Sequence, residues 1–283
     1  MVLEALETPE NAEKNPKHMF FFGVAYTSVA ILISLWVFPE QASLVMIFLT
    51  VMAISPLFYK TIKYEEQKDM EDFDEKLLLK EHSRALSFFM YFFIGATASY
   101  SLWYIFLPTS IIQTLFSTQT STILQINGGV TGFSVQVFEV FGKIFFNNIR
   151  VLIFCLIFAF LYGFGAIFVL TWNASVIGVA IGNFIRTNIS TVTSLFGAES
   201  LMTYFKTISI GMFRYSIHGI PEILAYFVGG LAGGIISVAI IKHDFRTKNF
   251  EKIILDSSDL IIIAVALLLV AGLLEVFVTP VFF

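Results

Sequence analysis

Residues 260–280 read LIIIAVALLLVAGLLEVFVTP, and this stretch decides the fold class because it holds a single charged residue, Glu275. About 20 mostly apolar residues are needed for a helix to cross the roughly 30 Å hydrocarbon core of a bilayer. The stretch therefore predicts a membrane-spanning helix. Further apolar runs of similar length predict spans at 19–38, 41–59, 86–107, 149–172 and 219–241.

The composition of the whole chain agrees with this stretch. Of its 283 residues, 57% are hydrophobic and only 13% are charged, whereas a soluble domain carries about 25% charged residues. Soluble globular enzymes and disordered or fibrous proteins are therefore excluded. A net charge of −4 also argues against a nucleic-acid partner, which binds a basic face. The predicted fold is all-α: a polytopic transmembrane helical bundle in the lipid bilayer.

The charged residues define the topology. Segments 1–18, 60–85 and 242–259 hold 28 of the 38 charges, and 60–85 and 242–259 hold six and four Lys/Arg residues. Short basic loops stay in the cytoplasm, so we expect a protein of the cell membrane with its N-terminus inside and its C-terminus outside. No small-residue cleavage site follows the first apolar run, which favours a retained span.

Parity then constrains the least regular region, 173–218. Span 149–172 runs inward, yet span 219–241 must also run inward to place Lys242 in the cytoplasm. An odd number of crossings must therefore lie between them. We predict six to seven spans, including one short or broken crossing around VIGVAIGNFI at 176–185.

The sequence divides into an N-terminal part, 1–85, and a transmembrane domain, 86–283. In the first part, the turn at 38–41 closes a hairpin, and 60–85 has no Gly or Pro and is rich in Glu, Lys and Leu. This composition favours a cytoplasmic helical hairpin or a continuation of the flanking spans, either as a solvated linker or as a docking surface for partner proteins. Between the third and fourth predicted spans, LFSTQTSTILQI at 115–126 predicts an interfacial helix or a small outer cap.

Polar residues inside the apolar runs are the candidate functional residues, because a charge in hydrocarbon is costly unless it faces protein or water. Asn and Arg at a span start favour a helix cap and a headgroup anchor, and Glu222 after Pro221 suits a first helical turn. Each position admits a structural reading and a proton- or ion-handling reading. The predicted intramembrane polar cluster comprises Asn147, Asn148, Arg150, Asn173, Asn183, Arg186, Arg214, His218, Glu222 and Glu275. Of these, Glu222, Glu275, Arg214 and Arg150 are expected to converge at one depth.

Small residues four apart predict close helix packing. One such pair lies in the predicted broken crossing, and two overlapping pairs follow Glu222. They serve either internal packing or a homo-oligomer formed through the glycine-rich helix. The predicted packing residues are Gly178, Gly182, Gly229, Gly230, Gly233 and Gly234.

The sequence contains little that indicates an enzyme. It contains no HExxH, GxSxG or P-loop motif. His218 and Glu222 alone make a weak metal site, and the single Cys155 forms no internal disulfide. We therefore expect no enzyme, no catalytic residue, no metal and no cofactor.

The order of several motifs resembles the stage II sporulation protein M family of integral membrane proteins. The resemblance covers roughly 80–283 and rests on KEHSRALSFFMYFFIGA at 80–96, Asn147-Asn148, Trp172-Asn173, His218-Gly219-Ile220-Pro221-Glu222, the glycine-rich helix, and Glu275 with Pro280. It implies a membrane scaffold that anchors partner proteins. The residues themselves leave an alternative open, a channel or transporter that uses the Glu/Arg/Asn cluster as a polar pathway.

Overall fold

The computed structural model describes residues 8–69, 75–128, 137–162, 166–192, 198–242 and 247–282, and their regular secondary structure is helical throughout. The long helices are α2 (His18–Val37), α3 (Ala42–Asp69), α4 (Glu75–Phe106), α7 (Val137–Tyr162), α8 (Ala166–Val192), α9 (Ala198–Lys242) and α10 (Lys248–Leu273). The short ones are α1 (Pro9–Lys14), α5 (Thr109–Leu115), α6 (Ser117–Gly128) and α11 (Thr279–Phe282). A 3₁₀ turn, Pro39–Gln41, joins α2 to α3, and a π-helical turn, Leu274–Val278, joins α10 to α11.

Within the described residues, seven helices are long and apolar enough to cross a membrane. The all-α bundle and the multi-pass topology are thereby confirmed, and the 3₁₀ turn confirms the first hairpin. The spans are His18–Val37, Pro39–Lys68, His82–Phe106, Phe138–Leu161, Ala166–Asn188, Ser216–Ile241 and Phe250–Val278.

The fifth span, Ala166–Asn188, is the extra crossing required by parity, but the expected interruption is wrong. Helix α8 runs without a break from Ala166 to Val192, and Trp172 and Asn173 lie inside it. The predicted span 149–172 is also wrong, because α7 ends at Tyr162. That apolar run joins the second half of one span to the start of the next. Only Gly163 and Gly165, two poor helix formers, mark the junction in the sequence.

Helix α9 is the centre of the bundle. In the most apolar stretch of α9, 83% of the residues are buried inside the protein, whereas in the most apolar stretches of α7 and α10 only 22% are buried. Phe227 of α9 stacks on Phe89 of α4, and Phe89 stacks on Phe58 of α3. Aromatic side chains thus join three spans at one depth.

The predicted glycines pack inside this chain. A Cβ on Gly233 would lie 2.9 Å from Leu156 O of α7, and one on Gly178 would lie 2.8 Å from Thr97 O of α4. Gly182 likewise packs on Tyr104, Gly229 on Leu152 and Gly230 on Ala166 of α8, and Gly234 is buried. Internal packing therefore accounts for these motifs, and the glycine face of α9 is not open to a second copy.

The closest helix approach was not predicted. A Cβ on Gly23 of α2 would overlap Phe92 O of α4, and a Cβ on Gly95 would overlap Phe20 O. Each glycine therefore opens the space for the backbone of the other helix. Neither belongs to a GxxxG pair, because Thr27 and Ser99 stand four residues after them.

The contacts fix which ends of the helices lie together. At one end, here called the charged end, α1 packs against the end of α3 and the start of α4. At the opposite end, α5 and α6 pack against the start of α3. Helix α4 runs through residue 85, the expected domain boundary, and α2 packs along it, so the N-terminal hairpin shares the bundle.

The short helices α5 and α6 close the opposite end. Ser43 Oγ of α3 donates a hydrogen bond to Gln119 Oε1 of α6 over 2.8 Å, and Gln119 Nε2 donates to Ser175 Oγ of α8 over 3.3 Å. Gln119 is fully buried. Segment 115–126 is therefore a helical cap that packs into the bundle through a buried amide.

Candidate functional site

Three of the predicted polar residues meet between α9 and the end of α10. His218 Nδ1 lies 3.3 Å from Thr279 Oγ1, and Tyr226 Oη donates a hydrogen bond to Glu222 Oε1 over 2.8 Å. Glu275 is near enough to Glu222 for the two carboxylates to repel each other. We call this group, His218, Glu222, Tyr226, Glu275 and Thr279, the α9–α10 cluster.

A π-helical turn places Glu275 in this cluster. The turn spans Leu274–Val278, where the backbone N–H and Oγ1 of Thr279 both donate to Leu274 O. Pro280 explains the change of helix type, because proline has no N–H for the carbonyl of Val276 and its ring crowds that carbonyl. Such turns in α-helices are frequent at functional sites.

Arg186 and Asn183 lie elsewhere and bind the end of α4. Arg186 Nη1 donates to Leu107 O over 2.6 Å and to Tyr104 O over 3.1 Å, while Nη2 donates to Thr109 Oγ1 over 2.9 Å. Tyr104 Oη donates to Asn183 Oδ1 over 3.2 Å. The last carbonyls of a helix lack intrahelical partners and carry negative partial charge. Arg186 therefore caps α4, a structural role.

The other predicted residues do not join the cluster. Asn173 Nδ2 donates to Val169 O in its own helix, and Asn148 is buried. Asn147 and Arg150 are exposed on the outer face of α7, and the side chain of Arg214 lies outside the described residues. The expected convergence of Arg150 with the two glutamates is therefore wrong. The side chain of Arg150 is exposed and is not packed against α9.

A second polar cluster lies at the charged end and was not predicted. Lys68 Nζ of α3 donates to Glu13 Oε2 of α1 over 2.9 Å and to Glu65 Oε1 over 2.6 Å. His82 Nδ1 of α4 lies 2.6 Å from Glu65 Oε2. All four side chains are buried, so this end of α3 is not a solvated linker. We call Glu13, Glu65, Lys68 and His82 the charged-end cluster.

The electrostatics of this cluster centre on Glu13. Burial, followed by the neighbouring Glu65 carboxylate, raises the pKa of Glu13 to about 7, although Lys68 opposes the shift. Glu13 therefore changes its charge near neutral pH. It is the residue that ties the short helix α1 to the spans.

One signal in the sequence pointed to this cluster. Glu65 and Lys68 are three residues apart beside an apolar span, so they share a helix face that turns toward the bundle. Their partners Glu13 and His82 lie 52 and 17 residues from Glu65. Only the packing of α1 and α4 brings these side chains together.

The described residues contain no group of three or more His, Cys, Asp or Glu side chains that could hold a metal ion. Cys155 is free and fully buried in α7. The main polar groupings of the described part are thus the two clusters, the Arg186 cap of α4 and the buried Gln119 amide.

The sequence also matches a protein-family model. The model describes stage II sporulation protein M and matches residues 19–280. The match begins at the first span, so it includes the N-terminal hairpin that the motif resemblance did not cover. Neither a curated protein nor a solved structure matches the chain. With the family model covering nearly all of its seven-span bundle, the chain belongs to the stage II sporulation protein M family.

Proposed function

We propose that this protein is a non-enzymatic membrane scaffold that anchors partner proteins. The observation that carries the proposal is that several polar side chains inside the spans are bonded within the chain. Arg186 binds the carbonyl ends of α4, Tyr226 binds Glu222, and Asn173 binds its own backbone. Side chains held this way build a rigid bundle.

The proposal includes an orientation in the cell membrane. The charged end carries the basic residues of 60–85 and 242–259, so it faces the cytoplasm, and α5 and α6 face outward. On the cytoplasmic side, the described part of 60–85 leaves a few side chains exposed to a partner, among them Lys60, Gln67 and Arg84. The rest of this partner surface stays a sequence-based prediction.

One observation favours a second candidate, a channel or transporter. The α9–α10 cluster brings two carboxylates together beside a π-helical turn. Two like charges near one another inside a span attract a cation or a proton. In this alternative, Glu222 and Glu275 form part of a polar pathway.

Flux measurements separate the two candidates. Purified protein in liposomes is tested for proton and monovalent-cation flux against empty liposomes, with Glu222→Gln and Glu275→Gln as variants. The scaffold proposal predicts no flux above the empty liposomes for any of them. A flux that both variants abolish would reject the scaffold as the main function. Glu251→Gln is the matched control, because Glu251 is an exposed carboxylate near the start of α10.

Partner capture tests the scaffold directly. Photocrosslinking in native membranes, with the reactive group at Gln67 or Arg84, is expected to give discrete adducts with one or two proteins. The same group at Phe21, an exposed lipid-facing position of α2, serves as the control. Identical adduct patterns from all three positions would contradict the docking surface.

A further inference from the structure

An apolar cleft lies between α4, α8 and α9. Its volume is about 380 Å³, a size typical of sites for small molecules. The lining comes from α4 between Met90 and Ile105, from α8 between Ile177 and Ile185, and from α9 between Ser216 and Ile223. We call it the α4–α8–α9 cleft. All three lining segments belong to candidate spans, so the cleft lies among lipid chains.

The cleft follows α4 and opens sideways. Met90 and Ile105 are 15 residues apart, which corresponds to about 22 Å along a helix axis. One half of the hydrocarbon core of a bilayer is about 15 Å deep, so the cleft is long enough for a chain that spans one leaflet. Ile94 and Leu102 of α4 and Ile220 of α9 line the cleft and are exposed. They form a rim through which a lipid chain can enter.

Two hydroxyl side chains interrupt the apolar wall. Thr97 and Ser101 of α4 both line the cleft, and their spacing of four places them on one helix face. Thr97 Oγ1 is buried without a hydrogen-bond partner, and Ser101, which is 7% exposed, forms no hydrogen bond with the described residues. Hydroxyls inside helices commonly bond to the carbonyl four residues earlier, as those of Thr50 and Ser55 do in α3. The hydroxyls of the cleft are not used in this way.

The α9 wall leaves space at Gly219. A Cβ at this position would meet no described atom within 4 Å. Glycine in a helix interior is unfavourable relative to alanine, and Gly178 and Gly233 occur where a neighbouring backbone leaves no room for a Cβ. No contact of that kind accounts for Gly219. Pro221 follows inside the same helix and has no N–H for the carbonyl of Ile217, so the helical hydrogen bonding is interrupted in the turn that lines the cleft.

These features together select the occupant. A helix with its side chains is about 10–12 Å wide and over the length of the cleft would need several times its volume. A pure hydrocarbon gains little by leaving the lipid, because lipid tails are as apolar as the cleft. A chain that carries an oxygen gains, in addition, a hydrogen bond to a hydroxyl that has no other partner. The cleft therefore favours a single chain with one oxygen group.

We propose that the α4–α8–α9 cleft binds one long-chain lipid, whose chain fills the cleft and whose hydroxyl or carbonyl oxygen pairs with Ser101. Thr97 offers a second hydroxyl one turn away. The oxygen belongs either to a free fatty alcohol or acid or to the ester of a membrane glycerolipid. The site is separate from the α9–α10 cluster, because His218 and Glu222 face α10 from another side of α9, and it does not depend on the proposed anchoring function.

Photolabelling tests the site. The full-length protein in nanodiscs is exposed to a fatty alcohol of about 16 carbons, roughly one leaflet long, with a diazirine in its chain, and labelled residues are mapped by mass spectrometry. Labels are expected in Met90–Ile105 and Ser216–Ile223. The unlabelled alcohol and the matching fatty acid methyl ester should compete at concentrations about three- to tenfold lower than the matching alkane. Labelling spread evenly over all lipid-facing helices, or equal competition by the alkane, would overturn the proposal.

A phospholipid with the same diazirine-bearing chain distinguishes the two sources of the oxygen. If it labels the cleft more efficiently than the alcohol does, the occupant is a membrane glycerolipid. If it labels less efficiently, the occupant is a free chain. If neither probe labels the cleft above the rest of the lipid-facing surface, the cleft is not a lipid site.

A variant at Gly219 tests whether the chain occupies the cleft. Gly219→Phe places a ring in the open space and is expected to reduce labelling of both segments to the level reached with excess unlabelled alcohol. Gly142→Phe is the matched control, because Gly142 is also a helical glycine whose Cβ would meet no described atom within 4 Å; it should leave the labelling unchanged. Undiminished labelling in folded Gly219→Phe would contradict the assignment.

Conservative variants of the hydroxyls test the hydrogen bond without filling the cleft. Thr97→Val combined with Ser101→Ala should keep the labelling but remove the advantage of the alcohol and the ester over the alkane. Ser99→Ala is the control, since Ser99 lies on the same helix but bonds to Ser28 and Val24 of α2. An advantage that survives in the double variant would show that the oxygen is not bound here.

A second copy of the chain is the competing occupant of the rim. Ile220→Cys places a thiol at the mouth of the cleft, while the native Cys155 is fully buried. The variant is oxidised in native membranes and separated without reductant. The proposal predicts a monomer, and a disulfide-linked dimer in high yield would mean that protein, not lipid, covers the cleft.

Discussion

The two polar clusters of this bundle differ in how their charges are balanced. At the charged end, the Lys68 ammonium lies between the carboxylates of Glu13 and Glu65, and His82 binds the far side of Glu65. In the α9–α10 cluster, Glu222 and Glu275 are near each other, Tyr226 donates a hydrogen bond to Glu222, and His218 contacts Thr279. The first arrangement is a balanced ion network between three helices. The second brings two carboxylates together between two helices.

This difference teaches what each cluster contributes. A buried ion network is costly to break, because each remaining charge loses its partner. The charged-end cluster therefore fastens α1 to α3 and α4. A pair of like charges inside a span destabilises the bundle, so the α9–α10 cluster is where a function would be retained at the expense of stability. Three measurements test this contrast.

The largest effect is expected for Lys68→Met. Methionine fills a similar volume but leaves Glu13 and Glu65 buried without their shared cation. Breaking a buried pair in this way costs about 3–5 kcal/mol. Reversible unfolding in mixed detergent micelles measures the change in free energy of unfolding.

Lys63→Met is the matched control for that measurement. Lys63 lies on the same helix, 4.6 Å from the centre of the Tyr59 ring, and it is only partly buried. Its loss removes a cation–π contact worth about 0.5–1 kcal/mol. Equal losses for the two variants would mean that the charged-end cluster is no more than a set of surface pairs.

The charged-end cluster also shows which features the sequence does not predict, namely which side chains of different helices meet. The span count and the parity of the crossings followed from hydropathy and loop charge, since both are local properties. The positions of Glu222 and Glu275 within their spans followed from the same hydropathy pattern. The direction of a side chain did not, and Arg150 therefore seemed to share a site with two glutamates that its exposed side chain does not join.

The ends of the helices were also predicted poorly from the sequence. The apolar run across 149–172 contains a helix terminus, yet hydropathy does not change there. Arg186 was placed in a polar pathway, because nothing local indicates that it binds the carbonyls of Tyr104 and Leu107, about 80 residues earlier. Contacts of this kind depend on which helices are neighbours, and a single sequence does not specify that.

A smaller effect is expected when pH titrates Glu13. The folded-state pKa of Glu13 is raised to about 7 from an ordinary 4.5, so the docked form of α1 holds a proton that the undocked form has released. This contribution to docking is fully present below pH 4.5 and is lost as the pH rises through 7. Solvent screening reduces the effect, and we expect docking to weaken about tenfold between pH 5 and 8.

The groups around Glu13 set the sign of this change. Of these groups, Lys68 opposes the rise in the pKa of Glu13 and Glu65 promotes it. The described charged or titratable side chains around Glu13 include Glu10 and Lys14 of α1, Tyr64, Glu65 and Lys68 of α3, and His82 and Arg84 of α4. Burial is the largest influence on the pKa of Glu13, so neutralising Glu13 should remove most of the dependence.

Accessibility of a cysteine at Ala12 measures this docking. Ala12 is 1% exposed, so the Ala12→Cys thiol reacts with a maleimide only when α1 undocks. The thiol itself reacts faster at high pH, and Ala12→Cys with Glu13→Gln provides that baseline. The ratio of the two rates is expected to rise with pH. A constant ratio would show that Glu13 does not titrate in this range.

The smallest effect is expected for Glu275→Gln, and its sign is opposite to that of Lys68→Met. Glutamine keeps the size and the hydrogen-bonding capacity of the side chain but removes its repulsion of Glu222. Repulsion between two neighbouring carboxylates is on the order of 1 kcal/mol, so at a pH where both are ionised the variant should be more stable by about 1 kcal/mol.

Two comparisons distinguish repulsion from other effects of this substitution. Glu222→Gln relieves the same repulsion but weakens the hydrogen bond from Tyr226, so its gain should be smaller. Both gains should vanish in acid, where the carboxyl groups are protonated in the wild-type protein. If Glu275→Gln instead destabilises the protein at high pH, Glu275 has a cationic partner, and the α9–α10 cluster is balanced in the same way as the charged-end cluster.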